Sequence, residues 1–147
     1  MIQRKQTLFL LAALIAVMVC SCMSVGTLTW EGMGNAKVYN LWIADGQGHY
    51  NYSVWPMLGA LILSATLSIV TIFMYTKRKL QASLCLVNML VLVIWGVLLA
   101  VMPTMNGGNL LLSWPVVLPM AAIVFLVLAR KGIMADEKLV RSLDRIR

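Results

Sequence analysis

The sequence predicts an all-α integral membrane protein: an antiparallel four-helix transmembrane bundle with a small extracytoplasmic β-hairpin and a short cytoplasmic C-terminal helix. Three observations carry this expectation. Of the 147 residues, 61% are hydrophobic and only 12% are charged, with a mean hydropathy of +0.88. The charged share is about half that of a soluble domain, and a soluble core of this length cannot hide so much apolar surface. Four uncharged runs approach the thickness of a bilayer, and nearly all the basic residues flank them on one side.

The runs are 7–23, 55–75, 80–102 and 110–128 within a single membrane domain. At about 1.5 Å per residue each can cross a hydrocarbon core of about 30 Å, the 17 residues of the first only just. Apolar residues run on without alternating, which favours helices over barrel strands. Thr76 to Lys79 leaves room only for an antiparallel helix pair. Pro103 and Gly107-Gly108 make a second tight link between the third and fourth runs. An up-down-up-down arrangement follows.

Orientation follows from charge. Arg4 and Lys5, the turn Lys77-Arg78-Lys79, and Arg130, Lys131, Lys138, Arg141, Arg145 and Arg147 are eleven of the twelve lysines and arginines. All fall on one side, with Lys37 alone on the other, so the positive-inside rule places both termini in the cytoplasm. This distribution also explains the net charge of +7 without a nucleic-acid partner. The rival for the first run is a cleaved signal, because Val19-Cys20-Ser21-Cys22 loosely resembles a lipoprotein processing site. A cysteine just before the final small residue fits that site poorly, so the run is read as a retained span.

Inside lipid, helices associate through small residues and polar contacts. Ala60, Ser64 and Ser68, with Ala12, Ala16, Gly96 and Ala100, are expected in the bundle centre. Asn88 lies about 13 Å along its helix from Lys79, where its amide needs a partner. Ser64, Ser68 or Thr71 can supply it, giving an interhelical polar contact in preference to a substrate contact. No Asp, Glu, Lys, Arg or His falls inside the runs, which argues against a proton pump or ion-coupled carrier.

The three cysteines, Cys20, Cys22 and Cys85, form neither a disulfide framework nor a zinc pattern. Met18, Cys20, Cys22 and Met23 gather soft ligands suited to monovalent copper. Residues two apart on a helix point about 200° away from each other, so no metal or cofactor is expected.

Residues 24–54 form the outer segment. Val38 to Ala44 and His49 to Val54 read as strands about an Asp45-Gly46-Gln47-Gly48 turn, with Tyr50, Tyr52 and Val54 on one face. Trp30, Trp42 and Trp55 suit the headgroup level. The only histidine, His49, has Glu31 and Asp45 as available carboxylates but no second histidine, so a surface role is expected rather than catalysis. Asn51-Tyr52-Ser53 matches a glycosylation acceptor, relevant only in a eukaryotic secretory pathway.

The tail, 129–147, reads as a short helix from Asp136, with Asp136 as its cap and Glu137 at its positive start. Its apolar stripe and basic residues make Leu139, Arg141, Leu143, Arg145, Ile146 and Arg147 candidate contacts for a lipid surface or a docked partner. The plain alternative is a solvated stop to the last span.

The opening Met1-Ile2-Gln3-Arg4 and the closing Asp136-Glu137-Lys138-Leu139-Val140-Arg141-Ser142 with Asp144-Arg145-Ile146-Arg147 resemble a Bacteroidota family of unknown function. Its members are small four-span inner-membrane proteins. Lys77-Arg78-Lys79-Leu80-Gln81 and Asn88 are similar to its pattern; Cys20-Ser21-Cys22 and the outer segment are not. The resemblance implies the bacterial inner membrane and no catalytic residues.

The function expected is non-enzymatic: an accessory, anchor or partner-binding subunit in contact with the lipid bilayer and a membrane or cytoplasmic protein. The alternative is a small oligomeric transporter or channel for a neutral or lipid-like solute.

Overall fold

The computed structural model describes residues 2–30, 34–75 and 77–144, with side chains for 6–30, 34–75, 77–140 and 142. Helices α1 (Ile2–Cys22), α2 (Trp55–Phe73), α3 (Arg78–Asn106) and α4 (Val117–Asp144) each pack against two neighbours, α1 on α4 and α2, and α3 on α2 and α4. Pro56 opens α2 in the first turn, where its missing N–H costs little. Gly107, at φ 60°, closes α3 with its N–H donating to the Pro103 carbonyl.

The all-α expectation is wrong. A five-stranded antiparallel sheet, ordered β4-β3-β2-β1-β5, sits at one end of the helices. Its strands are β1 (Ser24–Trp30), β2 (Gly34–Tyr39), β3 (Ile43–Asp45), β4 (Tyr50–Asn51) and β5 (Asn109–Leu112). Asp45 to Gly48 does turn one strand into the next, with Ile43 opposite Asn51 and Ala44 opposite Tyr50. The expected hairpin is therefore the outer part of a larger sheet, and both of its strands are shorter than expected.

Two segments account for the difference. Leu110 to Leu112, assigned to the fourth span, form β5 on the far side of β1. A run of leucines is equally apolar in either conformation; pairing with a strand eighty residues earlier decides it. Residues 24–30 form β1, where the β-branched Val25, Thr27 and Thr29 suit an extended strand that the turn signals alone do not mark. A short 3-10 turn, Trp114–Val116, then leads into α4. The separate tail helix is also corrected: α4 continues unbroken through Asp136, which is buried mid-helix and caps nothing.

Three helical stretches, Trp55–Phe73, Arg78–Asn106 and Trp114–Val140, are long and apolar enough to cross a membrane, and Gln6–Cys22 of α1 is a shorter apolar stretch. Many of their outward residues are large and apolar, among them Ile62, Leu90, Val93, Val97 and Val124. In water such faces would aggregate, whereas lipid solvates them.

The sheet and the helices share one core. Leu28, Ala36 and Val38 from the sheet are buried with Val17, Met57, Leu92 and Trp95 from the helices. A Cβ on Gly26 would lie 2.8 Å from the Leu111 carbonyl oxygen and 2.9 Å from Leu110 Cδ1. Only glycine lets β5 come this close. The small-residue stripe is partly misplaced: Ala16 is buried, but Ala100 is exposed and the space above Gly96 is open. At the opposite end α1 meets α4, where a Cβ on Gly132 would lie 3.0 Å from Gln6 Cγ.

Candidate functional site at the sheet end

Most polar groups buried by the fold are engaged with one another. In mid-bundle, Ser64 Oγ donates to Asn88 Oδ1 at 2.6 Å, and Asn88 Nδ2 donates to Ser68 Oγ at 2.7 Å. Ser68 Oγ passes a hydrogen bond on to the Ser64 carbonyl. The structure thus brings Ser64, Ser68 and Asn88 together, all three essentially inaccessible. Thr71 takes a different role: its hydroxyl turns back to the Leu67 carbonyl, and its own carbonyl accepts from Gln81 Nε2.

A second buried cluster fastens the sheet to the helices. Asn40 Nδ2 donates to the Cys20 carbonyl at 2.8 Å, and Trp95 Nε1 donates to Asn40 Oδ1 at 3.0 Å. The Asn40 carbonyl accepts from Leu58 N, so one residue at the end of β2 holds α1, α2 and α3. Sequence reading missed this cluster. Asn40 stands between Tyr39 and Leu41 with no local feature naming partners twenty and fifty-five positions away.

At the basic end, Gln6 Nε2 donates to Asp136 Oδ2 at 2.6 Å, Arg78 Nη1 reaches the Asp136 carbonyl, and Lys79 lies 4.0 Å from Glu137. This cluster ties both ends of the helical chain to the α2–α3 turn. Of the tail candidates, Leu139 is exposed. The side chains of Arg141 and Leu143 lie outside the described side chains, and Arg145, Ile146 and Arg147 lie outside the described residues, as does Glu31.

A concave site opens at the sheet end, in two adjoining parts. The first is a cavity of about 250 Å³ between the sheet and the end of α3, walled by Trp30, Ala36, Ile43, Asp45, Asn51 and Asn106, with His49 and Tyr50 beside them. Strand register explains why Asp45 points into it. Leu28 pairs with Ala36 and Ala36 with Asp45, so these three share the face turned to the helices. Lys37 pairs with Ala44 one position away and takes the opposite face.

The second part is a groove of about 230 Å³ between the start of α2 and the end of α3, lined by Ser53, Val54, Pro56, Met57, Leu98, Met102, Met105 and Asn106. Asn106 belongs to both parts. Its Oδ1 accepts from Ser53 Oγ, its Nδ2 donates to the Met102 carbonyl, and its own carbonyl accepts from Trp30 Nε1.

The family described as "Domain of unknown function (DUF4293)" matches residues 2–146, which takes in all four helices and all five strands. The chain belongs to this family. A search of the curated proteins finds no match. The DUF4293 match spans the sheet end as well as the basic end, so the concave site lies within the family's domain.

Of the three groups considered for chemistry in the outer segment, His49, Glu31 and Asp45, the structure brings Asp45 and His49 to one cavity, with the Asp45 N–H donating to the His49 carbonyl. Asn51 and Asn106 line the site although no sequence motif points to them there; Asn51 Oδ1 accepts from the Ser53 N–H in a local turn.

Proposed function

We propose that this DUF4293 chain is a non-enzymatic protein of the bacterial cytoplasmic membrane, crossing it four times with both termini inside, and that it serves as an anchoring or accessory subunit presenting its sheet outside. One observation carries the reading. Asn40 couples the sheet to three helices through hydrogen bonds, which fasten the sheet to the helical stem. A stem that holds a shaped surface at the membrane suits a partner-binding role. The distribution of basic residues supports the orientation.

A polar path through a single copy is disfavoured because Asn88, Ser64 and Ser68 occupy one another's hydrogen-bonding groups. The test of the main reading is photo-crosslinking in intact cells from Tyr50 and Leu111, both exposed on edge strands of the sheet, followed by mass spectrometry. One reproducible protein partner is expected; a chain recovered alone from every position rejects an accessory role. Labelling of a carboxyl-terminal tag only after membranes are opened is the outcome expected for the orientation.

A further inference from the structure

We propose that the sheet end holds a binding site for a single amphiphile with a primary-ammonium headgroup, its head in the Asp45 cavity and one acyl chain in the methionine-lined groove. The two parts differ in chemistry and touch at Asn106. A ligand that fills both must be polar at one end and apolar at the other.

The polar part selects the head. Among the described residues, Asp45 is the one formal charge on the cavity wall, and no hydrogen bond or ion pair engages its carboxylate. The wall's indole and Asn106 amide donors are already engaged, Trp30 Nε1 with the Asn106 carbonyl and Asn106 Nδ2 with the Met102 carbonyl. What remains is the Asp45 carboxylate, on the sheet face it shares with Trp30 and Asn51, whereas Tyr50, opposite Ala44, turns its ring to Trp42 on the other face. Carboxylate and aromatic faces together attract an ammonium and repel an anion. Lys37, on the other face of the sheet, does not neutralise the site.

The apolar part selects the chain. Met57, Met102 and Met105 are flexible and polarizable, which suits a conformationally mobile acyl chain. The groove lies between the ends of two helices long and apolar enough to span a membrane, and Met105 is 77% exposed there. A lipid can therefore enter sideways from the bilayer without leaving it. The site rests on the sheet end lying at a membrane surface, but neither on which leaflet that is nor on any protein partner.

The experiment is native mass spectrometry of the detergent-purified full chain with equimolar phosphatidylethanolamine and phosphatidylglycerol of matched acyl chains. The wild type is expected to retain the ethanolamine lipid about tenfold over the glycerol lipid, on the scale of a desolvated ammonium contact. Asp45→Asn should bring that ratio close to one, whereas Met105→Glu should lower retention of both lipids. Equal retention by the wild type overturns the proposal even if a variant fails to fold. So does an Asp45→Asn protein that folds and keeps the wild-type ratio. If Met105→Glu folds and loses neither lipid, the bound molecules are adventitious annular lipid and the site is rejected. A failed crosslinking search leaves this result unaffected.

Discussion

In mid-bundle, Asn88 gives both ends of its amide to Ser64 and Ser68 and is fully enclosed. At the sheet end, Asp45 holds an exposed carboxylate that no described group engages, on the strand face that otherwise carries Leu28 and Ala36. The two regions treat polarity in opposite ways. A buried amide is costly unless satisfied, so the helices bring it a matched pair of hydroxyls. A carboxylate facing a water-accessible cavity keeps its hydration and can wait for a ligand. Closed polar groups hold the fold together, and open ones remain available for recognition.

That contrast predicts a gradient of effects. Asn40→Leu should cost most, because it leaves Trp95 Nε1 buried without its acceptor and leaves the Cys20 carbonyl only the longer 3.3 Å bond from Met23 N. A loss of about 2–4 kcal/mol is expected, seen as a lowered midpoint in tryptophan-monitored unfolding. A midpoint within error of wild type would mean the sheet is not fastened to the helices as described.

Gly26→Val should come next, at about 1–3 kcal/mol, because the new side chain meets the Leu111 carbonyl. Hydrogen exchange should accelerate along β5 before anywhere in the helices. Uniform acceleration along the chain would contradict a local clash. Asn88→Ala should cost about 1 kcal/mol in a bilayer or detergent, near the measured range for interhelical hydrogen bonds in lipid. The double variant with Ser64→Ala should cost less than the sum of the singles, since both remove the same bond. Strict additivity would break the closed cluster into unrelated contacts.

Smallest of all should be the stability effect of Asp45→Asn, within about 0.5 kcal/mol, because no described partner is lost. A destabilisation as large as that of Asn88→Ala would show that the carboxylate holds the fold, and the distinction between closed and open groups would fall.

Each of the four apolar runs overlaps a helix, because continuous apolar character is a local property. Hydropathy failed where the same apolar composition served another conformation, as in Leu110 to Leu112. The turn at Asp45 to Gly48 was legible from its residue types, yet the direction of the Asp45 side chain was not. Direction depends on register, and register depends on β1 and β2, which residue types left open. Asp136 shows the same limit at the other end. Its position suggested a helix cap, but Gln6, 130 residues away, makes it a buried acceptor in mid-helix.

Apolar run length was enough to indicate helices long and apolar enough to cross a membrane, since it reflects transfer of individual side chains between water and lipid. Partnership was not available from it. The sheet, the Asn40 clasp and the joined cavity and groove arise where residues far apart in sequence converge. Hydrogen-bond geometry and strand register, which exist only once the chain is folded, determine which polar groups close on one another and which stay open.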